Sequence, residues 1–124
     1  MLLNLSNHPS LKWSKEQRDL AQLQFSEIID MPFPNISPTQ NTEGVVAFAA
    51  QYCHEILNLK KQYSNLTVHL MGELSFCFAL VGLLQRAGIQ VVFSTTQRTV
   101  LEEHDGKKTA QFRFIQFRAY PVLS

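Results

Sequence analysis

Four short polar stretches hold most of the chemistry this sequence has to offer. Ser6-Asn7-His8, Pro32-Phe33-Pro34-Asn35, Gly72-Glu73-Leu74-Ser75 and Ser94-Thr95-Thr96-Gln97-Arg98 each follow an apolar run of strand length. Hydroxyls, amides, one imidazole and one guanidinium dominate the set, which is the donor inventory of a site for phosphate oxygens. Gly72 permits close backbone approach, and a helix opening after it presents free N–H groups to an anion. The same glycine could instead serve only its turn, and Ser75 only the helix cap. His8 reads as a general base or a phosphate donor. Glu73 reads as a ligand for a ribose hydroxyl or base edge, as a general base, or as charge compensation at a helix N-terminus.

Arg98 stands out from this set. With Asp105-Gly106 as a two-residue turn, His104 pairs with Lys107, and counting outward puts Arg98 opposite Arg113. Like charges directly opposed on a sheet repel, whereas two guanidiniums facing each other can clamp an anion. The count assumes no bulge, and the apolar phase slips at Phe114-Ile115. A shifted register would leave both arginines as ordinary surface residues.

Several chemistries are disfavoured. The four histidines (His8, His54, His69, His104) lack metal-ligand spacing, so no metal is expected. Without a GxGxxG or Walker motif, no dinucleotide cofactor and no NTPase activity is expected. No GxSxG elbow and no Cys/His arrangement signals covalent catalysis. His69, inside a strand, reads as a core or interface histidine, and Trp13 as an apolar contact or a base-stacking surface.

These residues need a scaffold, and the pattern alternates strand with helix. Leu2–Ser6 is a buried strand, and Ser14 with Gln17 forms a capping box that opens a helix to about Phe25. Glu27–Met31 is a second strand. Asn41 or Thr42 caps a long helix whose Val45, Phe48, Ala49, Tyr52, Cys53, Ile56 and Leu59 recur at helical steps. Leu66–Met71 is a third strand, Ser75–Arg86 an apolar helix closed by Gly88, and Ile89–Ser94 a fourth strand. Thr95–Glu103 and Lys107–Tyr120 then flank Asp105-Gly106 as a hairpin with a type I′ turn. The fold class predicted is α/β: a Rossmann-like, mostly parallel sheet flanked by helices, with a C-terminal antiparallel β-hairpin over residues 95–120.

Composition bounds the rest. The 124 residues, 45% hydrophobic and 17% charged, suit one domain spanning 1–124 with its own core. A formal net charge of +1 argues against a bulk electrostatic grip on long nucleic acid. No run approaches ~18 apolar residues, so no membrane span is expected, and the first residues do not read as a signal peptide. Cys53 and Cys77 lack CxxC spacing and read as reduced core residues of a cytoplasmic protein. Phe112, Phe114, Ile115, Phe117 and Tyr120 load the hairpin with more apolar surface than a ribbon in water tolerates. A two-fold homodimer is the expected partner arrangement.

Leu2–Pro9 (LLNLSNHP), Met71–Phe76 (MGELSF) and Val91–Arg98 (VVFSTTQR), with Ala87-Gly88-Ile89 closing the helix before the last of these, resemble small CRISPR-associated accessory proteins of the Csx type. Those are relatives of the CRISPR-associated Rossmann-fold (CARF) sensors. The resemblance implies binding of cyclic oligoadenylate across a homodimer two-fold in type III CRISPR antiviral signalling, and in some members its cleavage, as a ring nuclease. The residues it carries over are Ser6, Asn7 and His8, then Gly72, Glu73 and Ser75, then Thr95, Thr96 and Arg98. The long hairpin and the lack of an effector nuclease domain depart from the sensors and favour a stand-alone ring nuclease or ligand sink. Cleavage would use the ribose 2′-hydroxyl as internal nucleophile, with His8 or Glu73 taking its proton and Arg98 stabilising the phosphorane. The alternative is a non-catalytic Rossmann-like subunit that binds a protein or a nucleotide.

Overall fold

Short apolar strands with helical crossovers between them pair in parallel, and this chain does so at its centre. The computed structural model describes residues 1–123. Strands β1 (Leu2–Ser6), β2 (Ile28–Pro32), β3 (Thr67–Met71) and β4 (Gln90–Glu102) are parallel, and β5 (Lys108–Ala119) returns antiparallel to β4. The sheet order is β2-β1-β3-β4-β5. Helices α1 (Lys15–Phe25), α2 (Thr42–Lys60) and α3 (Leu74–Arg86) connect the parallel strands. The expected α/β class is observed: a five-stranded mixed sheet, mostly parallel, flanked by helices.

Strand alternation divides the side chains between two faces. On one, Leu3, Leu5, Val68, Leu70 and Val91 pack against Val45, Ala49, Ile56, Phe76, Leu80 and Leu84 of α2 and α3. On the other, Leu2 and Val92 meet Ala21 and Phe25 of α1, with Trp13 and Phe117 completing a smaller cluster. Ser14 caps α1 by accepting from the Gln17 N–H at 3.2 Å, and Asn41 caps α2 by accepting from Gly44 at 2.8 Å. Among the described residues, no helix is long and apolar enough to cross a membrane.

The hairpin corrects the expected register. The fourth strand and the first hairpin arm are one continuous strand, and the turn is not type I′. That turn needs positive φ at both central residues, yet only Gly106 has it, at 82°. Instead the Gly106 N–H donates to Glu103 O at 3.0 Å, and the Glu103 N–H to Lys107 O at 2.8 Å, around a loop of His104-Asp105-Gly106. Asp105 Oδ1 holds the Lys107 N–H at 3.1 Å. The ladder shifts as a result: Arg98 faces Phe112, and Arg113 faces Gln97. Between Thr95 and Thr96 the register slips again. Thr95 pairs with Gln116 and Thr96 with Phe114, which leaves Ile115 bulged where the apolar phase slips.

Candidate functional site

A row of polar residues crosses the α1 face of the sheet, where apolar side chains would be the ordinary choice. Asn4 lies level with Asp30 on β2 and His69 on β3. Asn4 and His69 are only 1% and 2% exposed. Buried polar groups persist only when their hydrogen bonds are made, and here each has its partner. Asn4 Nδ2 donates to Asp30 Oδ1 and to the His8 carbonyl, both at 2.8 Å. Its Oδ1 accepts from Ser6 Oγ at 2.8 Å and lies 2.9 Å from His69 Nδ1. The far ring nitrogen, Nε2, lies 2.7 Å from Ser94 Oγ.

Donor and acceptor arithmetic sets every proton in this row. Asp30 and the His8 carbonyl can only accept, so the Asn4 amide must turn its NH2 toward them and its oxygen toward His69. That oxygen can only accept, so the 2.9 Å contact requires His69 to carry its proton on Nδ1. Nε2 is then a lone pair, and Ser94 donates its hydroxyl proton to it. Gln17 Nε2 donates to Ser94 Oγ at 3.0 Å, filling the acceptor side of that oxygen. The capping-box glutamine therefore reaches the far end of this network.

The surroundings hold the imidazole neutral. Trp13 meets the His69 ring edge-on at 5.2 Å and Phe117 at 5.6 Å. Burial lowers the His69 pKa to about 4. Burial alone would raise Asp30, but hydrogen bonds from the Asn4 side chain and from the Ser10 hydroxyl and N–H hold its carboxyl below the usual value.

Above the row opens a hollow of about 580 Å³ at the carboxyl ends of β1 and β3 and along β4. Its lining includes Ser6, Asn7, His8, Lys12, Trp13, Gln17, His69, Met71, Gly72, Ser94, Thr96, Phe112 and Phe114. Of the residues singled out from the sequence, Ser6, Asn7, His8, Gly72 and Thr96 meet here, together with Ser94, Trp13 and His69. Gly72 has an additional reason to be bare: a Cβ would fall 2.2 Å from Phe33 Cζ, whose ring packs on Phe76.

The other expected residues stand elsewhere. Glu73 is the N-cap of α3. Its carboxylate accepts from the Ser75 hydroxyl at 2.6 Å, the Ser75 N–H at 3.1 Å and the Phe76 N–H at 2.8 Å. The Ser75 hydroxyl and the Phe76 N–H hold its pKa below the usual carboxylate value. The first turn of α3 is thereby filled by its own side chain, which matches the helix-terminal reading of Glu73 among the three the sequence left open. Thr95 Oγ1 donates across the ladder to Gln116 O at 3.3 Å. Arg113 pairs at the surface with Glu16 of α1, Nε to Oε2, at 3.4 Å. Arg98 shares the sheet face of Phe112 but lies outside the hollow's lining, so the two arginines form no clamp. Of His8, Glu73 and Arg98, His8 alone lines the hollow.

The residues missed were Asn4, His69 and Ser94 acting jointly, with Asp30 and Gln17 at the ends. A signal existed. Asn4 interrupts Leu2–Leu5 and His69 interrupts Val68–Leu70, each at the alternate position that faces α1. Among the described residues no group of His, Cys, Asp and Glu could hold a metal ion.

The family model described as Uncharacterized protein MJ1673 family matches residues 1–118. No curated protein and no solved structure matches the chain.

Proposed function

Starting from a chain that belongs to the uncharacterized protein MJ1673 family, we propose that it binds a cyclic oligoadenylate, with one nucleotide unit seated in the hollow. In this reading the sheet is Rossmann-like and related to CARF domains. The protein is a cytoplasmic homodimer, and ring cleavage proceeds without metal through the ribose 2′-hydroxyl.

One observation carries the reading: the hollow lies at the carboxyl ends of parallel strands, where open α/β sheets take ligands. Its volume of about 580 Å³ is within the ~300–1,000 Å³ of small-molecule sites. Trp13, Phe112 and Phe114 supply apolar walls suited to a base. Lys12 and His8 supply charge or hydrogen bonds for phosphate, and Asn7 and Thr96 for base and ribose edges. Phe112 is 68% exposed on the hairpin, in keeping with a surface that a nucleobase or a second subunit covers. With Glu73 committed to its helix, His8 is the residue of the expected catalytic set that remains within reach of the ligand.

The test is titration of the protein with cyclic tetra- and hexa-adenylate, followed by the fluorescence of its one tryptophan, Trp13, which lines the hollow. Lys12→Ala and Phe112→Ala should each weaken binding about tenfold while leaving the thermal midpoint in place. Chromatography of the same mixtures in chelator reports linear products. Absence of both binding and turnover for either ring would refute the proposal.

A further inference from the structure

The row beneath the hollow has a second meaning, independent of any nucleotide. Ser94 Oγ–H points at His69 Nε2, and His69 Nδ1–H points at the Asn4 amide oxygen, at 2.7 and 2.9 Å. This is a nucleophile hydrogen-bonded to a base whose far side is held by a third group, the arrangement that activates a hydroxyl. Gln17 Nε2 stands 3.0 Å from the same hydroxyl oxygen, where the second N–H of the amide is free for an acyl oxygen that becomes negative two bonds from Oγ. Both Ser94 and His69 line the hollow, so a ligand there meets the hydroxyl.

We propose that Ser94 is the nucleophile of a carboxylic-ester hydrolase, with His69 as its base and Gln17 as the donor to the oxyanion. Asn4 and Asp30 are positioning residues: Asp30, together with the His8 carbonyl, fixes the Asn4 amide, and the Asn4 amide fixes the His69 tautomer. The activity goes beyond ring binding and does not depend on it. The apolar walls of the hollow, Trp13, Met71, Phe112 and Phe114, suit an uncharged acyl group.

The step balances within the residues named. Ser94 Oγ bonds to the acyl carbon while its proton passes to His69 Nε2, and the carbonyl π pair moves onto oxygen, which takes the Gln17 N–H. The pair returns, the carbon–oxygen bond to the alcohol breaks, and His69 hands its proton to the departing alkoxide. Water then repeats the sequence on the acyl-serine, giving a carboxylic acid and free Ser94. His69 is neutral at pH 7, so its Nε2 lone pair is free; burial lowers its pKa to about 4 and makes the resting ring a weak base, so the negative charge developing on the bound acyl oxygen must stabilise the imidazolium as the proton transfers.

An alkyl phosphonofluoridate probe tests this without a natural substrate. Its phosphorus bonds to an activated serine and fluoride leaves. The wild-type protein should gain one adduct by intact mass, located to Ser94 by peptide sequencing, and should hydrolyse p-nitrophenyl acetate. Ser94→Ala should gain none. His69→Asn, which keeps a donor near the Nδ1 position and removes Nε2, should label at least about 100-fold more slowly. Asp30→Asn, a conservative change at an exposed residue, should slow labelling, and ¹⁵N spectra should then show His69 losing its pure Nδ1–H tautomer. An Asp30 with only a structural role would leave the labelling rate of Asp30→Asn unchanged. Folded wild-type protein that takes no label at Ser94, or His69→Asn that labels at the wild-type rate, overturns the assignment. Should His69→Asn fail to fold, Ser94→Ala and Asp30→Asn still decide it. Ring binding without labelling refutes this inference alone, and labelling without ring binding refutes the nucleotide reading alone.

Discussion

Mild acid should destabilise this fold through His69. The imidazole is 2% exposed and its pKa is lowered from 6.5 to about 4 by burial, so the unfolded chain binds a proton that the folded chain refuses. Stability is then unaffected by this group well above pH 6.5 and falls as pH drops from 6.5 toward 4. With ~1.4 kcal/mol per pH unit as the limiting slope, the loss between pH 7 and pH 5 is about 2 kcal/mol, and by pH 4 about 3 kcal/mol. Against a typical net stability of ~5–15 kcal/mol, that is a large fraction. Asp30 and Glu73 have lowered values and push the same way, but only around and below their ordinary 3.8 and 4.5, so the interval from pH 6.5 to 5 isolates the histidine.

The assay is urea unfolding followed by Trp13 fluorescence at pH 7, 6 and 5, for the wild type and His69→Asn. Each variant supplies its own unfolding free energy by linear extrapolation. The difference between the two curves cancels every other group that titrates, because only residue 69 differs. The wild type should lose about 2 kcal/mol more than the variant over this range. A difference within about 0.5 kcal/mol would show that His69 accepts its proton in the folded state, and the argument from burial and the aromatic rings would fail.

Three further outcomes follow from local geometry. Ser26 ends α1 at φ 69° and ψ −52°, with the Glu27 N–H donating to Phe25 O at 2.8 Å, a tight γ-turn strained for a residue with a Cβ; Ser26→Gly should raise stability by about 1 kcal/mol in urea unfolding. Gly72→Ala drives a Cβ into the Phe33 ring and should cost about 1–3 kcal/mol, and the double variant with Phe33→Ala should cost less than the two single changes together. Glu73→Ala should lower the thermal midpoint by uncapping α3, Glu73→Ser should restore part of it, and neither should alter cyclic oligoadenylate binding or Ser94 labelling.

How much of this was readable beforehand differs by level. The strands and helices were legible because burial writes a period of two or 3.6 into the residues, and Val45, Ala49, Cys53 and Ile56 all proved buried. The hairpin register was not. Asp105-Gly106 fits two turn types, and the choice rests on Asp105 using its side chain to hold the Lys107 N–H, a contact that composition does not reveal. One residue of slip there separated Arg98 from Arg113. Glu73 was legible as acidic and as next to a helix start, but whether a carboxylate at that position serves a ligand or its own helix depends on φ and ψ, and it closed on Ser75 and Phe76. The polar row escaped because each member had an unremarkable reading alone: Asn4 a lapse in a strand, His69 a core histidine, Ser94 a strand-end hydroxyl. Only the pairing of β1 with β3 and of β3 with β4 puts them in sequence.

That row also says where this fold gives up stability. The α1 face has few buried apolar groups, Leu2, Trp13, Ala21 and Val92, against the larger cluster beneath α2 and α3. Asn4 and His69 occupy positions between them that leucine or valine would fill at lower desolvation cost. Each hydrogen bond in the row repays only part of that cost, since unfolding trades it for one with water. A chain selected for stability alone has no reason to keep a carboxylate, an amide, an imidazole and a hydroxyl in series, with one proton direction imposed by the carboxylate at its edge and the His8 carbonyl beside it. The hydroxyl end opens on the same hollow that Lys12, His8 and Phe112 line, so a place where apolar packing is given up is also a place where a ligand can reach the ordered proton. The coincidence of those two properties at Ser94 ties the energetics of the fold to its chemistry.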